Sequence, residues 1–213
     1  MKLNPEIKLL NSETRLYGFD KPIVGLTGGI ATGKSTVTKI LRDRGLAVIC
    51  ADELVKKIYQ DEQILTILRE KAPTAITQHQ VNFKELRKIF FSDKELKKIL
   101  SEAIYQHLPH AFLSEARKHS LASFIIYDVP LLFEKGLQLK VDTNCLIYSS
   151  VADQRARISQ RDGTDDLTID RILSEQLPID SKRKMAEIVV ENTKDREFLN
   201  GQVTNWLTWL TKA

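Results

Sequence analysis

The chain has 213 residues, 42% hydrophobic and 28% charged, with 32 Lys+Arg against 28 Asp+Glu for a formal net charge of +4. That length supplies one domain, or one domain with a sizeable insertion, and buries about 70% of the unfolded surface without a disulfide or metal staple. The balance excludes a disordered or fibrous chain and is too mild to imply nucleic acid, and the longest apolar run, residues 46–51, is far too short to span a membrane.

Residues 1–21 precede the first predicted element and read as an N-terminal extension with no secretory signal. Ile23 to Thr27 is a short apolar, β-branched run bounded by Pro22 and by Gly28-Gly29, and predicts a buried strand. Ser35 to Arg44 has helical period with Val37, Ile40 and Leu41 on one face, and Gly45 stands where a helix C-cap belongs. Leu46 to Cys50 predicts a second strand and Asp52 to Tyr59 a second helix. Two strands joined through one helix imply parallel pairing with a right-handed crossover.

Residues 61–119 contain no convincing strand and predict a helical insertion that covers the acceptor. Phe83, Leu86, Ile89 and Phe90 keep helical spacing. Ser92-Asp-Lys-Glu95 reads as a capping box opening a helix that buries Leu96, Ile99, Leu100 and Ala103, and Pro109 should end or kink it. His79, His107, His110 and His119 lack ligand spacing and are expected at the surface. Residues 123–129, 143–148 and 187–190 supply three further strands, so the fold class is α/β in three layers, with a five-stranded parallel sheet. Residues 22–60 and 120–213 form its core, and Trp206 and Trp209 anchor a last helix.

Gly28-Gly-Ile-Ala-Thr-Gly33-Lys34-Ser35 matches GxxxxGK[ST] between a predicted strand and a predicted helix, the context a phosphate-binding loop needs. Backbone amides converge on phosphate oxygens there, and the helix N-terminus adds about half a positive charge. In this pattern Lys34 reaches the β/γ-phosphates and the Ser35 hydroxyl holds Mg²⁺, so Mg·ATP is the expected nucleotide. Asn192-Thr-Lys-Asp195 resembles a guanine-reading motif only superficially, because Thr193 breaks it.

Asp52, just beyond the second strand, is either a base for an attacking hydroxyl or a helix N-cap. Asp128, closing the apolar run Phe124-Ile-Ile-Tyr127, fits an aspartate assisting Mg²⁺ through water, a pattern that is also common by chance. Arg155, Arg157 and Arg161 lie on one predicted helix that ends near Asp162-Gly163, and they read either as a lid over phosphates, spanning about residues 155–175, or as a solvated basic face. Lys182 reads as a ligand contact or plain surface.

Together these residues resemble the dephospho-CoA kinase family. The matching runs are Leu26-Thr-Gly-Gly-Ile-Ala-Thr-Gly-Lys-Ser-Thr36, Val48-Ile-Cys-Ala-Asp52, Val129-Pro-Leu-Leu-Phe-Glu134, Gln160-Arg-Asp162 with Arg171 and Gln176, and Ala186-Glu-Ile-Val-Val-Glu-Asn192. The resemblance implies transfer of the ATP γ-phosphate to the ribose 3′-hydroxyl of dephospho-CoA on a P-loop kinase fold. It implies that Asp52 is the base and that Lys34 and Arg161 stabilise the transferred charge. ATP is expected on Gly29, Ala31, Thr32, Gly33, Lys34, Ser35 and Thr36, with Arg157, Arg161 and Asn192, and the acceptor beside Thr27, Asp52 and Leu132. The family's Asp-Ala-Asp reads Cys50-Ala-Asp52 here, and its His-Pro reads Gln106-His107. A P-loop kinase of another small acceptor and a non-catalytic ATP-binding module are the alternatives. No nucleic-acid or membrane partner is expected, the chain is expected to be a monomer or weak homo-oligomer, and Cys50 and Cys145 suit a reducing cytoplasm.

Overall fold

A computed structural model describes residues 2–78 and 80–212. In chain order the elements are β1 (Ile23–Gly28), α1 (Lys34–Asp43), β2 (Val48–Cys50), α2 (Ala51–Ile58), α3 (Glu62–Lys71), β3 (Ile76–Thr77), β4 (Gln80–Val81), α4 (Phe83–Ser92), α5 (Lys94–Arg117) and β5 (Ile125–Asp128). They continue with β6 (Thr143–Tyr148), α6 (Val151–Asp162), α7 (Asp166–Ser174), α8 (Ile179–Met185), β7 (Ile188–Glu191) and α9 (Arg196–Leu210). Two compact units result, one from residues 1–49 with 119–213 and the other from residues 50–118.

The first unit is built on a five-stranded parallel sheet in the order β2-β5-β1-β6-β7. Its strands are near-continuous apolar runs because helices leave neither face wet. Val24, Leu26, Ile126, Cys145, Ile147 and Val190 on one face pack with Val37, Ile40 and Leu41 of α1 and Leu199, Val203, Trp206 and Leu210 of α9. Trp206 is buried in this core and Trp209 is exposed, so one of the two expected anchors performs that role.

The N-terminal extension is stapled to this unit. Arg15, 5% exposed, donates from Nε to Asp142 at 2.8 Å, and Asp142 also accepts from the Leu10 and Ile23 amides at 2.7 Å each. Asn4 donates from its backbone to Leu210 at 2.8 Å and from its side chain to Trp209 at 3.1 Å.

The second unit differs from the sequence reading in several places. Its boundary falls at 49/50 rather than 60/61, because α2 packs on α5, with Lys57 donating to Glu115 at 2.6 Å. A short hairpin pairs Ile76 with Val81 and Thr77 with Gln80, where no strand was expected. The cap of α5 is Asp93, which accepts from the Leu96 amide at 2.9 Å, while Ser92 belongs to α4 and donates back to Lys88 and Ile89. Pro109 neither ends nor interrupts α5, whose buried stripe of Leu96, Leu100, Ile104, Leu108, Phe112 and Ala116 runs across it at four-residue intervals. His107 is half-buried and bonds the Ala103 carbonyl at 2.7 Å, unlike the exposed His110, and His79 lies outside the described residues. Among the described residues no helix is long and apolar enough to cross a membrane.

Candidate active site

β1 delivers the chain into the loop 28–33 at the carboxyl edge of the sheet, the edge where open α/β folds hold ligands. Gly33 has φ +88° and Ala31 has φ 57°, the left-handed region that a non-glycine residue enters only when its surroundings hold it there. Three groups do so. Asn192 donates from Nδ2 to the Thr32 carbonyl at 2.8 Å, and Arg157 donates to the Ala31 carbonyl at 3.1 Å, the Ser149 hydroxyl at 2.8 Å and the Asn192 carbonyl at 2.8 Å. Thr32 donates from Oγ1 to the Gly29 carbonyl at 2.9 Å. A Cβ on Gly28 would stand 2.6 Å from Thr32 Oγ1 and 3.1 Å from the Ile147 carbonyl, and one on Gly29 would stand 2.8 Å from Gln154 Oε1, so a side chain at either position would press on the loop's supports.

Lys34 opens α1 and its ammonium pairs with Asp128 Oδ1 at the end of β5. Thr38, one helical turn on from Lys34, donates to Asp128 Oδ2 at 2.7 Å. Both carboxylate oxygens are thereby engaged, and the lysine is held at the cradle. Ser35 and Thr36 are exposed in the first turn of α1, whose end leaves amides without helical partners. The arrangement is a cationic turn at a helix N-terminus, of the kind that can hold phosphate groups.

Other expected residues stand elsewhere. Leu132 is fully buried, and its methyl carbons lie 3.1 and 3.2 Å from where a Cβ on Gly25 would be, so it fills the space that glycine leaves. Thr27 is likewise buried, its hydroxyl donating to the Pro130 carbonyl at 3.3 Å. Arg161 is exposed and forks onto its neighbour Asp162 at 2.7 and 2.8 Å, which raises the pKa of its guanidinium. Arg155 ties α6 to Asp166 and Asp170 of α7, and those two acids raise its pKa too. The expected loose tip 163–166 is a tight corner, in which Asp165 caps α7 and the Thr168 amide lowers the pKa of its carboxyl. Asp52 lies in the second unit, exposed in the first turn of α2, where Cys50 rather than Asp52 takes the N-cap position.

Sequence reasoning missed Ser149, Gln154 and Thr38. Only Thr38 left a trace, its spacing of four from Lys34 on an apolar helix face.

The family model for dephospho-CoA kinase matches residues 22–197. The chain belongs to the dephospho-CoA kinase family. A dephospho-CoA kinase of Bartonella quintana is 32% identical over 193 residues, covering 89% of this chain and 98% of its own. One from Fusobacterium nucleatum is 34% identical over 179 residues, covering 83% and 92%. Among solved structures, TT1252 from Thermus thermophilus superposes with a TM-score of 0.76 at 29% identity, over 90% of this chain and 98% of that one. A dephospho-CoA kinase from Campylobacter jejuni has the same fold, with a TM-score of 0.65 at 24% identity over 87% and 95%. The match to the dephospho-CoA kinase model begins at residue 22, directly after the segment that Arg15 staples to Asp142.

Proposed function

We propose that this chain transfers the γ-phosphoryl group of ATP to the ribose 3′-hydroxyl of dephospho-CoA, giving CoA and ADP. The observation that carries the reading is the cradle of residues 28–35, with Lys34 paired to Asp128, in a chain that matches the family over residues 22–197. Residues 61–119 take the acceptor, and residues 155–175 form the lid.

The 3′-oxygen attacks the γ-phosphorus, the bond from that phosphorus to the β-γ bridging oxygen breaks, and the hydroxyl proton passes to the carboxylate of Asp52. Phosphoryl transfer asks mainly for positioning and charge stabilisation, so an ordinary carboxylate suffices as base. The loop amides hold the phosphates while Arg157 and Asn192 hold the loop. Lys34 leaves Asp128 for the β/γ-oxygens, and Arg161 leaves Asp162 for the same anion once bound nucleotide competes for it.

The donor set fits Mg²⁺, a hard cation that takes oxygen ligands: the exposed Ser35 hydroxyl, and the Asp128 carboxylate that Lys34 releases and Thr38 orients. When bound, the ion neutralises charge developing on the phosphate oxygens. Among the described residues neither cysteine forms a disulfide, in keeping with action in the reducing cytoplasm. The chain acts as a monomer or weak homo-oligomer.

The test is ADP release from Mg·ATP with and without dephospho-CoA, run beside Asp52→Asn. Release that depends on dephospho-CoA and falls about 10²- to 10⁴-fold in the variant, with ATP binding retained, is expected. ATP binding without acceptor-dependent release would sink the reading.

A further inference from the structure

The sequence leaves Lys182 on α8 open as a ligand contact or plain surface, yet its side chain is 0% exposed. Its ammonium lies 2.7 Å from Glu134 Oε1, 3.3 Å from Gln176 Oε1 and 3.4 Å from the Pro130 carbonyl. Glu134 Oε1 also accepts from the Leu177 amide at 3.0 Å, and the Pro130 carbonyl also accepts from the Thr27 hydroxyl. One buried cation therefore ties together three pieces of the nucleotide unit. They are the segment 130–134 that follows Asp128, the chain leaving α7 at Gln176-Leu177, and, through Pro130, the strand that ends in the phosphate loop.

Stability alone does not account for this arrangement. A buried ion pair gains little over well-packed apolar side chains, because the cost of desolvating both charges offsets their attraction. Here the pair is also imperfect, since Glu134 Oε2 is buried with no hydrogen-bond partner among the described residues. What the ammonium provides is convergence: three oxygens from two segments, Pro130 and Glu134 on one side and Gln176 on the other, are fixed by one group with three donors. The segments are functionally placed. Asp128 holds Lys34 two residues before Pro130, and Gln176 and Leu177 line a cavity of about 480 Å³ with Gly29 and Ile30 of the loop.

We infer that Lys182 is a positioning residue for phosphoryl transfer, holding residues 130–134 and the C-terminal end of the lid in register with β1. The inference rests on the kinase reading above and adds to it a group that touches neither nucleotide nor acceptor.

The test compares Lys182→Met, the charge-free double variant Lys182→Met/Glu134→Gln, and Gln176→Ala with the wild type, in thermal melting and in dephospho-CoA-dependent ADP release. Lys182→Met alone strands a buried carboxylate and melts lower, whereas the double variant recovers most of that loss. The kcat of the double variant nevertheless stays down about tenfold or more, because misplaced reacting groups are costly, while the KM for ATP moves less than about twofold. Gln176→Ala keeps the ion pair, melts as the wild type and shows the same selective loss of kcat. Wild-type kcat in Gln176→Ala, or in the double variant once its melting is restored, would overturn the inference. Hydrogen exchange without substrate is the second readout, expected to quicken in residues 130–134 and 174–178 of either variant. If the wild type itself released no ADP with dephospho-CoA, the kinase reading would fall, and unchanged exchange in those two segments would separately remove Lys182.

Discussion

The side-chain amide of Asn192 occupies the space that a β-carbon on Gly33 would need, and from there it donates to the Thr32 carbonyl. The last strand thus closes on the phosphate loop at a point where only glycine fits, both for room and for φ. Gly33→Ala is expected to destabilise the protein by about 1–3 kcal/mol through backbone strain and to lose nucleotide binding out of proportion to that loss. Chemical denaturation beside ATP titration separates the two effects. A variant that binds ATP normally would show that the close approach has no part in shaping the cradle.

Arg157 spends its guanidinium on three oxygens of the loop and its supports rather than on solvent. Lysine retains the charge but not the planar fork, so Arg157→Lys loses at least two of the three bonds. The expected kinetic outcome is a rise of about tenfold in the KM for ATP, with the KM for dephospho-CoA nearly unchanged. Steady-state kinetics with each substrate varied in turn checks this. A fall in kcat with both KM values unchanged would point instead to a role confined to the transition state.

The N-terminal staple makes a prediction about stability alone. Arg15→Met leaves the buried Asp142 carboxyl, among the described residues, with the Leu10 and Ile23 amides as its donors. Breaking a buried pair from one side costs about 3–5 kcal/mol. Urea unfolding should show that loss, and the paired change Arg15→Met/Asp142→Asn should recover part of it. Catalysis by the folded fraction should be unaffected, because the pair lies outside the phosphate cradle.

In the second unit, hydrogen bonds from Lys57 and then Lys118 hold the Glu115 carboxyl below its ordinary pKa of 4.5. A carboxyl whose folded pKa is lowered stabilises the fold above its unfolded pKa, and that contribution is lost as pH falls through the folded value. The wild type should therefore melt higher than Glu115→Gln at neutral pH, and the difference should shrink steadily below pH 4.5. Melting midpoints of both proteins across the acid range test this. A difference that grows with falling pH would reverse the assigned sign.

The parallel sheet was legible because its strands are apolar runs punctuated by glycine, proline and helical period, all local signals. The phosphate loop was legible for the same reason, as a contiguous motif whose backbone does the binding. What escaped depends on partners far away in sequence. The packing of Leu132 against Gly25, more than a hundred residues earlier, left no local sign. Lys182 stays undecided between ligand contact and surface until Glu134 and Gln176 enclose it, and Arg15 sits in an unassigned extension until Asp142 receives it. Pro109 misled because the local rule against proline in a helix yields to a buried stripe that holds both halves of α5 in line. The hairpin at 76–81 offers only two residues per strand, too few for alternation to show.

The strand order has a consequence for synthesis. The partners of β1 are β5 and β6, with Ile23 set against Ile125 and Val24 against Thr143, so among the described residues the strand that carries the phosphate loop pairs with no strand between residues 29 and 124. Contacts so distant in sequence form late and slowly, since a long stretch of chain must first be closed. Residues 50–118 are continuous and are complete on the ribosome well before β6 emerges. The helical unit can thus mature while the nucleotide cradle still waits for its strands, and during that wait the apolar run 23–28 stays unpaired, the kind of segment that aggregates or recruits chaperones.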